Sequence, residues 1–167
     1  MPKRILIPTD FSINSLNILK EFLQKDESDE QYDVVLSCGY YLSESITDLL
    51  FFSKHKILRS LNTDAFMDAI SILRNKYAHS LHTVNVDLFT GSVQSSFDDY
   101  LEGNKIETIV FGADRKFTKT VKRSFDLSSF VQKAKVNKIM LTYKLREDRA
   151  IATDDLTVIF NTAGSFS

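Results

Sequence analysis

Between Arg4 and Tyr143, short apolar runs alternate with stretches of helical periodicity, and that alternation restricts the fold more than any other feature of the chain. Ile5, Leu6 and Ile7 are apolar on consecutive positions, as expected of a strand buried on both faces of a parallel sheet. Pro8 ends the run because it cannot donate to a ladder. Ser12 is placed to cap a helix whose apolar face is Ile13, Leu16, Leu19 and Leu23. Val34 to Cys38 is a second buried strand. Asn62 or Thr63 caps a helix over Asp64 to Ala78, with Phe66, Ile70, Leu73 and Tyr77 on one side. Thr83 to Phe89 alternates apolar and polar, which places a half-exposed strand at a sheet edge. A further helix follows Gly91, with Val93, Phe97 and Leu101 facing inward and Gly103 as its stop. Ile106 to Phe111 is a buried strand ending at Gly112. Ser124 or Asp126 caps a short helix carrying Leu127, Phe130, Val131 and Ala134, and Ile139 to Tyr143 is a fifth strand. Strand–helix alternation at this spacing predicts βαβ units, hence a parallel sheet with helices on both faces.

Two segments read differently. Lys25 to Gln31 is an acidic, solvated loop, whereas Gly39 to Asn62 carries Leu49, Leu50, Phe51, Phe52, Ile57, Leu58 and Leu61 and predicts a helix or helical loop packed on the sheet. Past the fifth strand, Lys144 to Ser167 forms a tail in which Leu156 to Phe160 has strand composition. The expected division is a domain over 1–145 and an extension over 146–167, whose strand packs on the domain or on a dimer partner.

At 167 residues and a net charge of −1, the chain has room for one substantial core and no electrostatic case for nucleic acid or a membrane surface. No apolar run approaches spanning length, and the N-terminus enters a strand directly, so the expected location is cytoplasmic. One cysteine, Cys38, excludes an internal disulfide and reads as a buried thiol. His79 and His82 straddle a helix end with no third ligand, so no metal site is expected. Asp98 and Asp99 point to different sides of a helix, and no serine sits in a nucleophile elbow, so no catalytic residues are expected.

The opening Ile-Leu-Ile-Pro-Thr-Asp-Phe-Ser with its amphipathic helix resembles the universal stress protein family. Thr90-Gly91-Ser92 and Ile109-Val110-Phe111-Gly112 extend that resemblance, which covers Arg4 to Tyr143. It implies a three-layer α/β/α domain, with a five-stranded parallel sheet in the order 3-2-1-4-5 (adenine nucleotide alpha hydrolase-like). It also implies a homodimer through the edge of strand five; the tail lies outside the resemblance, and its strand composition adds the expectation that it pairs there or within the chain. ATP-binding relatives carry Gly, two residues, Gly, nine residues, Gly, then Ser or Thr after strand four. Glycines there let backbone amides approach phosphate oxygens without a Cβ in the way.

In this chain the first glycine is Gly112, but the next positions fall on Arg115, Phe125 and Asp126, and no glycine occurs from 113 to 163. Arg123 and Ser124 match the last two positions only after a two-residue deletion. On the resemblance, Pro8, Thr9, Asp10, Phe111 and Gly112 match the nucleoside side of the site, and Ser37 or Cys38 flanks the base. For Asp10 the residues alone leave two readings open, a ligand contact at the strand's carboxyl end or a carboxylate that only orders its turn. Arg115, Lys116, Lys119, Lys122 and Arg123 form a basic loop without an acid among them. It reads either as an anion site built from side chains or as a solvated loop folded over a closed crevice. The expected function is a non-enzymatic stress-response module with a degenerate loop and weak or no ATP binding. The alternative is an adenine-nucleotide-binding member whose basic loop holds the phosphates of ATP.

Overall fold

The computed structural model describes residues 1–113, 116–119 and 121–142. β1 (Lys3–Pro8) leads through a single 3₁₀ turn (Ile13–Ser15) into α1 (Leu16–Lys25). There follow β2 (Tyr32–Tyr40), α2 (Ile46–Leu50), α3 (Lys54–Leu61), α4 (Asp64–Lys76) and β3 (Leu81–Phe89). The chain continues through α5 (Gln94–Gly103), β4 (Thr108–Gly112), β5 (Ser124–Phe125), α6 (Ser128–Lys133) and β6 (Asn137–Leu141).

Five parallel strands lie in the order β3-β2-β1-β4-β6, with β1 central and β3 and β6 at the edges. This is the expected 3-2-1-4-5 arrangement, the fifth predicted strand being β6. The sheet also has a member that was not expected. β5 has only two residues and pairs antiparallel with the end of β2.

Alternation along the central strands separates two cores. Ile5, Ile7, Val34 and Leu36 face α1 and α4, against Leu16, Leu19, Leu23, Phe66, Ile70 and Leu73. Leu6, Val35 and Phe89 face the other way, against Phe97 and Leu101 of α5 and Val131 of α6. The result is a three-layer α/β/α sandwich. Thr63 caps α4 as expected, its hydroxyl accepting the Phe66 N–H at 3.2 Å, and Cys38 is a buried free thiol.

Several local expectations give way to tertiary context. Ser12 does not cap α1. Its N–H and hydroxyl both turn back to Asp10, and the helix starts one 3₁₀ turn later. Val93 is exposed and occupies the cap position of α5 rather than its inner face. α5 does end at Gly103, but the left-handed residue that reverses the chain is Lys105, at φ 55°. Ser124 lies in β5 and caps nothing. Leu127 is the cap residue of α6, while the Asp126 carboxylate takes the N–H and hydroxyl of Ser128 at 3.1 and 2.8 Å. Among the apolar side chains over Gly39 to Asn62 only Leu61 is fully buried, with Ile57 and Leu58 partly so, whereas Leu49, Leu50 and Phe51 face solvent. The segment Leu156–Phe160, the 146–167 extension, Tyr143 and Arg115 lie outside the described residues.

Candidate functional site

The strands that follow β1 in sequence run first to one side of it and then to the other, so the order reverses between β1 and β4. Ligands of open α/β sheets bind at such a reversal, beyond the carboxyl ends of the strands. Here that ground is held by the β1 turn and by the segment joining β4 to α6.

The turn is tightly built. Thr9 continues the ladder beyond Pro8, its N–H donating to the Ser37 carbonyl at 2.8 Å. The Thr9 hydroxyl oxygen accepts the Phe11 N–H at 3.0 Å and lies 2.7 Å from the Ser15 hydroxyl. Phe11 takes up a left-handed φ of 62°, which turns the chain sharply and sets its ring 5.5 Å from that of Phe66. Asp10 is buried within this turn. Its Oδ1 accepts the Ser12 N–H at 3.0 Å and the Ser12 hydroxyl, so the carboxylate orders the turn. Its Oδ2 accepts the Thr118 N–H at 2.9 Å, across 108 positions of sequence. The carboxylate is therefore turned inward, onto its own loop and onto the segment that follows β4.

That segment crosses the end of the sheet. Ala113 still pairs with β6, donating to the Leu141 carbonyl at 2.9 Å. Phe117 and Val121 then pack against the α1/α4 core. Tyr41 donates to the Arg123 carbonyl at 2.8 Å, and β5 lies alongside Gly39 and Tyr40. Gly39 is what permits the approach. A Cβ there would stand 2.4–2.6 Å from three carbons of the Phe125 ring. The ring stacks on Tyr41 at 4.2 Å between centroids. Gly39 and Phe117 were not singled out in the sequence. The available signals were a glycine at the end of an otherwise apolar strand, which marks close approach of another chain segment, and one aromatic residue inside a cationic run.

The expected site residues divide into three groups. Pro8, Phe111 and Gly112 come together and line a crevice of about 180 Å³ with Phe117, Met140 and Asp126. Thr9, Asp10, Ser37 and Ser124 are buried and hydrogen-bonded within the protein. The Ser37 hydroxyl lies 2.8 Å from the Tyr100 hydroxyl, which donates to Asp87 at 2.9 Å, and Lys54 closes the chain at 2.8 Å from the other Asp87 oxygen. Burial, and then the Asp87 charge, push the Tyr100 phenol far above its ordinary range, so it stays a neutral donor. The Ser124 hydroxyl donates to the Val121 carbonyl at 2.8 Å rather than facing the crevice. Arg123 is half-buried and fixed by its backbone. Lys116, Lys119 and Lys122 are exposed and join no ion pair among the described residues. No cluster of three His, Cys, Asp or Glu side chains occurs among those residues, and His82 pairs with Asp33 at 2.7 Å.

No family model and no curated protein matches the sequence. Solved structures do. A universal stress protein family member from Burkholderia pseudomallei superposes with a TM-score of 0.51 at 12% identity, over 83% of this chain and 95% of that one. The chain has the universal stress protein fold. Two hypothetical proteins share it. MJ0577 matches with a TM-score of 0.51 and 18% identity over 87% of this chain and 99% of its own, and PH0823 with 0.50 and 16% over 88% and 100%. At these identities the likeness is one of fold, and this chain's universal stress protein fold carries its own covering over the carboxyl end of the sheet.

Proposed function

We propose that this chain is a non-enzymatic regulatory or interaction module of universal stress type in which ATP binds weakly or not at all. The observation that carries the reading is the Thr118 N–H on the Asp10 carboxylate, with the neighbouring Phe117 packed on the α1/α4 core. That contact engages Asp10, one of the positions that the resemblance gives to the nucleoside side. Three further features support it. The Ser37 hydroxyl is engaged by Tyr100. Phe125, at the position of the third glycine, fills the space against Gly39. Asp126 puts a negative charge on the crevice wall where a phosphate would come. The exposed cations Lys116, Lys119 and Lys122 favour the alternative, an ATP site made of side chains. They would have to order long chains at up to about 2 kcal/mol each, against charge-assisted bonds of roughly 1.5–3 kcal/mol.

Thermal melts with millimolar ATP and magnesium separate the two. A ligand at about 100 times its Kd stabilises a fold by about 2.7 kcal/mol, a shift of roughly 5–10 °C at this size. We expect no shift beyond that given by sulfate or pyrophosphate. A shift of several degrees, abolished by Asp10→Ala and by neutralising Arg115 and Arg123, would establish the nucleotide-binding reading instead.

Assembly belongs to the same proposal. We place a homodimer contact at the outer edge of β6, where Ile139 and Met140 are exposed and one side of the strand lacks a ladder partner among the described residues. Leu156 to Phe160 would add a strand there. Removing residues 150–167 should lower the sedimenting mass or the melting temperature, and an unchanged pair of values counts against the arrangement.

A further inference from the structure

Six large apolar side chains stand in solvent between positions 41 and 51: Tyr41, Leu42, Ile46, Leu49, Leu50 and Phe51. Ile46, Leu50 and Phe51 are 76, 76 and 79% exposed, and α2 buries no residue at all. The segment is nevertheless a built element. The Ser45 hydroxyl accepts the Asp48 N–H, the Ser53 hydroxyl accepts the Lys56 N–H, and Tyr41 is stacked on Phe125. A five-residue helix draws little stability from its own length, and helices in proteins are held by burying an apolar face. At about 200 Å² per large side chain, the six leave roughly 700 Å² of surface open, more than a monomer ordinarily leaves as one patch.

The charges around the patch indicate what covers it. Glu44 and Asp48 lie at its α2 end, Lys56 and Arg59 at its α3 end, and all four are exposed. Acids before and within α2 and bases within α3 give such a patch the charges to pair with a copy of itself. Turned about a two-fold axis, the acids of one copy meet the bases of the other around a shared apolar centre. Two copies would bury on the order of 1,400 Å², within the range of specific interfaces. A net charge of −1 leaves little repulsion between copies. A membrane fits less well, because Glu44 and Asp48 stand beside the apolar side chains and offset Lys56 and Arg59.

We propose that the α2–α3 face is a docking surface for a second copy of this chain, in an isologous two-fold contact. α3 packs against β3, the edge opposite β6, so this contact is separate from the β6 one and does not depend on it.

Sedimentation velocity of the full chain, from micromolar to near-millimolar, tests it. Leu50→Glu with Phe51→Glu should lower the assembly by one association step, raising its Kd at least about tenfold, with far-UV dichroism unchanged, and melting unchanged at concentrations where the wild type has dissociated at this face, because neither side chain is buried. Asp48→Lys should weaken association and Asp48→Lys with Arg59→Glu should restore it, which keeps the test sound even if the double glutamate variant misfolds. A wild-type chain that is monomeric throughout, or association unaltered by both sets of variants, would overturn the proposal. So would a monomer that instead sediments with vesicles of anionic lipid.

Discussion

Asp10→Asn changes one oxygen to an amide and tests whether the crossing segment is held down from the β1 turn. The single carbonyl oxygen of Asn can serve Ser12, which donates from both N–H and hydroxyl, or Thr118, which donates once. Keeping Ser12 points an NH₂ group at the Thr118 N–H, donor against donor. The loss is one charge-assisted bond, worth roughly 1.5–3 kcal/mol. It is offset in part because a buried amide costs less desolvation than a carboxylate. A net destabilisation of about 1–2 kcal/mol follows, or roughly 2–8 °C for a chain of this size. The position of the loss matters more than its size. Lys116 and Lys119 flank Thr118 and are exposed, so trypsin reports local opening there. Cleavage governed by local opening follows its equilibrium, and about 1.4 kcal/mol is tenfold. The variant should be cut between 116 and 119 about tenfold faster, under conditions where global unfolding is negligible. An unchanged cleavage rate in a variant whose melting temperature has fallen would mean that Asp10 secures only its own turn. The segment after β4 would then not be held down from the β1 turn.

Gly39→Ala drives a Cβ into the Phe125 ring, which should cost about 1–3 kcal/mol in urea unfolding. The cost should shrink in a Phe125→Ala background, and equal costs in both backgrounds would refute the contact. Lys20 is almost wholly buried, and burial, with Lys76 nearby, lowers its amine to about 8 from 10.5. Below pH 8 the amine is charged in both states and the fold bears the full penalty. Between pH 8 and 10.5 the unfolded chain binds the extra proton, so stability rises with pH by about 2–3 kcal/mol. Unfolding free energies of the wild type and Lys20→Met across that window should diverge accordingly, and parallel curves would refute the assignment.

The sheet was legible because its strands differ in how many faces they bury. Ile5-Leu6-Ile7 is apolar at every position, and β1 is central. Thr83 to Phe89 alternates, and β3 is at an edge. Helical spacing was less exact at helix ends. Val93 sits at the right interval from Phe97 and Leu101, yet interval alone does not separate a cap residue from the first buried turn. Nor does apolar composition say what covers a side chain, which is why Leu49, Leu50 and Phe51 read as packed on the sheet when they face solvent.

The carboxyl end of the sheet was the least legible part, for a reason that lies in its construction. A phosphate cradle made of backbone amides leaves its mark in sequence, because only glycine admits the approach. A covering made of side chains leaves no such mark. It depends on contacts between residues far apart, as between Asp10 and Thr118 or Gly39 and Phe125. In this chain the glycine that admits a close approach lies on the facing strand rather than in the loop. The segment after β4 has none from 113 to 163, and Phe125 stands where the third would fall. The facing strand β2 carries Gly39, which makes room for that ring. Absent loop glycines and a glycine at the end of β2 are thus two sides of one packing arrangement, in which the segment after β4 lies against β2 through the Phe125 ring.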